Sequence, residues 1–163
     1  MKWFNNPQCI EDLKAQYKRL AMAHHPDRGG STVNMQEINS EYDSLFQRLK
    51  DIHRAASGAT YTARESTAEK AEDFREIIDG LINLAGLHIE ICGSWVWVSG
   101  NTKPHKDKLK HLSFRWSSSK AAWYYHSSPY RKHNSKTFSM DEIRDLFGSE
   151  TVRSGSPLAM QIV

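Results

Sequence analysis

With 163 residues, 39% of them apolar and 25% charged, the chain has room for one ordinary domain or two small ones, and its balance is that of a folded protein. The longest apolar run, around Leu81 to Ala85, is far short of the roughly 20 residues that cross a bilayer, which excludes a helical membrane span. Lys2, Trp3, Phe4, Asn5 and Asn6 carry no secretory pattern, and Cys9 and Cys92 stand far apart without a second cysteine nearby, so a reducing cytoplasm is expected. Charge is uneven: residues 1–102 hold 11 Lys+Arg and 14 Asp+Glu, residues 103–163 hold 11 and 5, a net −3 against +6. Such a split predicts two parts with different partners, the basic one facing a polyanion.

From Cys9 to His24, Ile10, Leu13, Tyr17, Leu20, Ala21 and His24 recur at spacings of three and four, the stripe of an amphipathic helix. Asn6 before Pro7 is its expected cap, and Glu11 and Asp12 place negative charge in the first turns. Pro26 ends it, because proline lacks an N–H and disfavours helical geometry at His25. Gly29 and Gly30 relax the break, and Ser31 caps a second helix with Met35, Ile38, Tyr42, Leu45, Phe46, Leu49 and Ile52 on one stripe. The two stripes predict a helical hairpin, its end covered by Trp3 and Phe4.

Residues 57–67 are small and polar without apolar period and read as a linker. A third helix is expected from about Ala68 to Leu84, with Phe74, Ile77, Ile78, Leu81 and Ile82 on its apolar face. The period then changes to two. Leu87, Ile89 and Ile91 alternate with His88, Glu90 and Cys92, and Gly93 and Ser94 separate them from Trp95 to Val98, a hairpin signal. Thr102 is the expected cap of a short helix through Leu112. A second hairpin pairs Phe114 to Trp116 with Ala122 to Tyr125, and Ser139 with Glu142 forms a capping box for a last helix bearing Met140, Ile143, Leu146 and Phe147, stopped by Gly148. The expected class is α+β: a helical hairpin over 1–56, a linker over 57–67, a domain over 68–153 with a four-stranded antiparallel ββαββ sheet and flanking helices, and a flexible tail over 154–163.

On the first helix Lys14 and Lys18 fall beside Tyr17, with Arg19 further round, so a basic stripe is expected on an exposed face leading to the loop. The run Tyr17, Lys18, Arg19, Leu20, Ala21, Met22, Ala23, His24, His25, Pro26, Asp27, Arg28, continued by Ile38, Tyr42 and Leu45, strongly resembles the J-domain (DnaJ-like) family over the first third of the chain. That resemblance implies docking on a DnaK-type chaperone: a basic helix meets an acidic surface of the nucleotide-binding domain, and His25, Pro26 and Asp27 meet it near the interdomain linker. It assigns the contact to His25, Pro26, Asp27, Lys14, Tyr17, Lys18, Arg19 and Arg28, and makes the protein an activator of a partner ATPase rather than an enzyme. The pattern departs from the family in a truncated first helix, no evident fourth helix, and alanines at positions 15 and 23 where relatives often carry lysine. With no Gly/Phe-rich stretch and no repeated cysteine pairs, a specialised cochaperone is expected over a general folding factor.

Between Lys103 and Lys136 nine Lys+Arg face one acidic residue, Asp107, and the segment carries Trp116, Trp123, Tyr124, Tyr125 and Tyr130. Lys103, Lys106 and Lys110 at helical spacing suit phosphates, and Arg115, Trp116 and Trp123 suit unpaired bases; packing within a sheet and contact with a client protein are the competing readings. The residues Trp97, Gly100, Thr102, Pro104, Lys106, Leu109, Lys110, Phe114, Arg115, Trp116 and Trp123 also resemble a small module of short bacterial and phage proteins with no established activity. Of the eight histidines, His24 and His25 are adjacent and diverge at a helix end, His105, His111, His126 and His133 lack a companion cysteine or carboxylate pattern, and no glycine-rich phosphate loop occurs, so no metal and no cofactor are expected. Cys92, His88 and Glu90 share a strand face without an oriented base, which argues for a buried thiol over a nucleophile.

Overall fold

The computed structural model describes residues 1–55, 57–127, 137–147 and 150–153. It is an α+β arrangement of five helices and two antiparallel sheets among the described residues. Helix α1 spans Ile10–His24 and α2 spans Thr32–Leu49. The cap of α1 is Cys9, not Asn6, whose φ of 41° puts it in a left-handed turn before Pro7. Ser31 caps α2 as expected, its Oγ accepting from the Asn34 N–H at 3.4 Å. The helices close on each other through Tyr17, Tyr42 and Phe46, with Tyr17 and Tyr42 ring centroids 4.4 Å apart. Phe4 is buried beside Tyr42, and Trp3 packs edge-on to His24 near the loop that joins the two helices.

Residues after α2 do not form a plain linker. Strand β1 (Ile52–Arg54) pairs antiparallel with β2 (Thr60–Thr62), and the Glu11 carboxylate accepts from the Arg54 N–H and lies 2.8 Å from His53 Nδ1, pinning this hairpin to the start of α1. Thr60, Tyr61 and Thr62 are exposed on both faces, so no apolar alternation announces the strand. Helix α3 (Ala71–Ile82) starts later than expected, where the Lys70 N–H donates to Asp73 Oδ2 at 2.8 Å. Phe74, Ile77, Ile78, Leu81 and Ile82 are all buried, each contributing about 2 kcal/mol of apolar transfer free energy.

Strands β3 (Leu87–Cys92) and β4 (Trp95–Gly100) form the expected hairpin, with Gly93 at φ 58° in its turn. After α4 (Lys106–His111) come β5 (Arg115–Ser117) and β6 (Ala122–His126), then α5 (Met140–Phe147) and β7 (Glu150–Arg153). The sheet runs β5-β6-β4-β3-β7, antiparallel throughout. Its fifth strand, β7, was not expected: four residues with one apolar member give no period, and pairing on the free edge of β3 supplies the order. Ser139 and Glu142 do form the capping box of α5, at 2.7 and 3.1 Å. Thr102 makes no side-chain cap to the turn at Lys103–His105 that precedes α4. Gly148, Tyr130 and the tail over 154–163 lie outside the described residues.

The sheet has two different faces. Leu87, Ile89, Ile91, Val96, Val98 and Trp123 join one continuous core with α1, α2 and α3. The other face carries Cys92, Trp97 and Ala122, against which Trp95, Tyr124, Met140 and Ile143 pack. There Arg144 of α5 reaches Glu90 through two hydrogen bonds of 2.9 and 2.8 Å. One core therefore crosses residues 57–67, and helix α1 packs against α2, α3 and β3, with α2 also in contact with α3.

Candidate functional site

The bend after α1 is a short 3-10 turn, Pro26–Arg28, held almost entirely by its own backbone. His25 leaves helical geometry at φ −64°, ψ 133°, as a residue before proline must, while its N–H still donates to the Ala21 carbonyl at 2.9 Å. The His25 carbonyl accepts from the N–H groups of Arg28 and Gly30, both at 2.9 Å, and the His25 Nδ1 accepts from the Asp27 N–H at 3.2 Å. An accepting Nδ1 leaves the ring proton on Nε2.

Both glycines are required by geometry. Gly29 sits at φ 84°, and a Cβ on Gly30 would stand 2.0 Å from the His24 carbonyl oxygen. Gly30 is thus a close backbone approach and not only a relaxed turn. The result is a rigid tip: Pro26 is exposed, the Asp27 side chain is 59% exposed, and the His25 side chain is 14% exposed.

The tip is not alone. The C-terminal end of α3 lies against it: Asn83 Nδ2 donates to Asp27 Oδ2 at 2.7 Å, His25 Nε2 stands 3.5 Å from Asp79 Oδ1, and the Arg28 guanidinium donates to the Ile82 carbonyl at 3.2 Å. Burial pushes the Asp79 carboxyl above its ordinary range, with His25 and Arg75 only partly offsetting it. Sequence reasoning missed Asp79 and Asn83; their i, i+4 spacing on α3 carried no signal of what they would meet.

The expected basic stripe is corrected by the structure. Lys14, Tyr17 and Lys18 are buried, not exposed. Lys14 Nζ donates to both carboxylate oxygens of Glu69 at 2.7 Å, with the pair's side chains 4% and 5% exposed, and sits 5.0 Å above the Phe74 ring. Lys18 Nζ reaches the Ile89 carbonyl of β3 at 3.4 Å, and Tyr17 donates to Asn39 Oδ1 at 2.9 Å. Helical periodicity says which residues share a stripe; it does not say which stripe a later segment will cover. Of the basic residues expected on this surface, Arg19 is exposed and Arg28 is half-buried.

In the second half Lys103, Lys106, Lys110 and Arg115 are exposed, and Trp116 is 49% exposed. Lys106 and Lys110 stand one turn apart on α4, whose Leu109 is anchored in the core. Trp123 does not join them as a stacking platform: it is buried at 8% exposure, edge-on to Trp116 with centroids 5.7 Å apart. Its alternation places it on the face turned to α3, which tryptophan periodicity alone does not reveal.

Burial holds both thiols, Cys9 and Cys92, up at about 11, and Cys92 has Glu90 rather than a base beside it. Among the described residues no helix is long and apolar enough to cross a membrane. No protein-family model matches the chain, and no solved structure matches it.

Proposed function

We propose that this chain is a J-type cochaperone that docks on a DnaK-type chaperone and stimulates its ATP hydrolysis. The carrying observation is the rigid tip at the end of α1, where Pro26 breaks the helix and an Asp27 carboxylate projects at 59% exposure. A carboxylate so held is pre-ordered to accept a charge-assisted hydrogen bond from a partner arginine, which becomes bidentate once the Asn83 amide leaves Oδ2. His25, braced by its Nδ1 contact to the Asp27 backbone, shares the tip. In this reading α1 and α2 form the J-type hairpin, and residues 87–126 form a ββαββ unit that selects a client.

Catalysis stays with the partner; the chain biases it toward its hydrolysing conformation and is no enzyme itself. Arg19, exposed on α1, steers the encounter, and its contribution weakens as salt rises. The compartment is then that of the chaperone, the cytoplasm. The test is single-turnover ATP hydrolysis by the chaperone with the full chain and with His25→Gln. Faster hydrolysis lost in the variant supports the reading, and equal rates for both remove it.

A second reading, a nucleic-acid-binding adaptor of a phage or mobile element, draws on the exposed Lys103, Lys106, Lys110, Arg115 and Trp116. It expects oligonucleotide binding that weakens steeply with salt and with Lys106→Glu plus Lys110→Glu. Binding indifferent to both refutes it.

A further inference from the structure

We infer that the second half of the chain holds the first in a closed form: α3 and β3 occupy the face of α1 that the chaperone needs, and docking requires the α1–α2 hairpin to part from them. This rests on the cochaperone reading. Of the eight residues that reading assigns to the contact, three are buried against the second half or its neighbours, namely Lys14, Tyr17 and Lys18. Three more are engaged at the tip by α3: Asp27 by Asn83, Arg28 by the Ile82 carbonyl, and His25 beside Asp79.

Two classes of contact therefore oppose docking. At the tip, an arginine seeking both oxygens of Asp27 must displace the Asn83 amide, which donates to Oδ2 at 2.7 Å. Along the helix, the lysines cannot meet an acidic surface while Glu69 and the Ile89 carbonyl hold them.

The seam is chemically suited to parting. Beside the apolar packing of Phe74 on Tyr17 and Tyr42, which opening must give up, it encloses two ammonium groups, and the desolvation of those charges offsets much of their attraction to Glu69 and Ile89. Separation returns both to water or delivers both to an acidic partner. The apolar stripe that joins α1 to α2 also touches α3, where Tyr42 stacks on Phe74 with centroids 6.2 Å apart, so opening gives up that contact while the packing of Tyr42 on Tyr17 and Phe46 stays within the hairpin. The apparent affinity for the chaperone is scaled by the fraction of open molecules, so any change that raises this fraction raises stimulation in proportion.

Asn83 is exposed, so Asn83→Asp perturbs the seam and not the core. It replaces a donor with a second carboxylate against Asp27, at a site where the wild-type contact is 2.7 Å. At sub-saturating full-length protein, Asn83→Asp is expected to raise single-turnover stimulation about fivefold, and His25→Gln in the same background to abolish the gain. Stimulation by both proteins at equal strength overturns closure and leaves the cochaperone reading standing. Absence of stimulation by either overturns both.

Hydrogen exchange of the wild-type chain decides the matter should the variant fold poorly. Amides of residues 71–82 exchange faster when the ATP-bound chaperone is added if the hairpin parts from α3. Unchanged or slower exchange in a complex that stimulates hydrolysis overturns closure.

Discussion

Removing the carboxylate of Glu69 tests whether the seam is built as described. Lys14 Nζ has both Glu69 oxygens at 2.7 Å, and the two side chains are 4% and 5% exposed. Glu69→Gln leaves an ammonium with one neutral acceptor and the Phe74 ring at 5.0 Å, a contact worth about 2 kcal/mol when desolvated. Breaking one side of such a pair costs about 3–5 kcal/mol. For a chain of this length that is a loss of about 10 °C or more in melting temperature. Ser127, which also donates to Glu69 at 3.1 Å, adds a smaller loss. Lys14→Met should cost a similar amount, because it strands the carboxylate. The double variant Lys14→Met with Glu69→Leu should recover most of the stability, since no charge is then left without a partner in a dry site. Urea unfolding of the wild type, Lys14→Met, Glu69→Leu and the double variant closes the cycle. A Glu69→Gln cost below about 1 kcal/mol, with coupling near zero, would mean that water reaches the pair and that the closed seam is not dry.

Gly30→Ala places a Cβ 2.0 Å from the His24 carbonyl oxygen, so the tip must shift; a loss of about 2 kcal/mol or more is expected in chemical denaturation, and an unchanged midpoint refutes the close approach. Glu41 accepts from the backbone N–H groups of Lys2, Trp3 and Phe4. Burial opposes its ionisation, but those donors and the terminal ammonium hold its carboxyl below the usual 4.5. A depressed native pKa contributes stability above the unfolded value and loses it as pH falls through the native one, so the deficit of Glu41→Gln, about 1 kcal/mol at pH 7, should vanish in acid. A deficit independent of pH between 7 and 3 would refute the assignment. Cys9 and Cys92, both held at about 11 by burial, should react with a thiol-selective disulfide reagent only at the rate of unfolding; rapid labelling of either at pH 8 refutes their burial.

Much of the local structure was legible in the residues. Ser31 and the capping box of Ser139 and Glu142 mark helix starts, and the alternation from Leu87 to Val98 marks the first sheet hairpin because a two-residue period has one geometric meaning. The bend at Pro26 follows from its missing N–H and from the clash of its ring with a helical His25. What could not be read is tertiary. Lys14 and Lys18 look like a solvated face until Glu69 and Ile89, 55 and 71 residues away, arrive to cover them. The pairing of β1 with β2, and of β7 with β3, rests on partners rather than on any period of their own. Trp116 and Trp123 stand opposite each other in one register pair, yet one is half in water and the other in the core, a difference that sheet edge position creates.

The unbroken core bears on how such a chain can be recombined. A chimaera that keeps α1 and α2 but receives a foreign partner after residue 56 inherits two lysines and a tyrosine with no matching acid, carbonyl or ring. Glu69, Asp79 and Asn83 would have to travel with the hairpin for a transplant to keep these contacts.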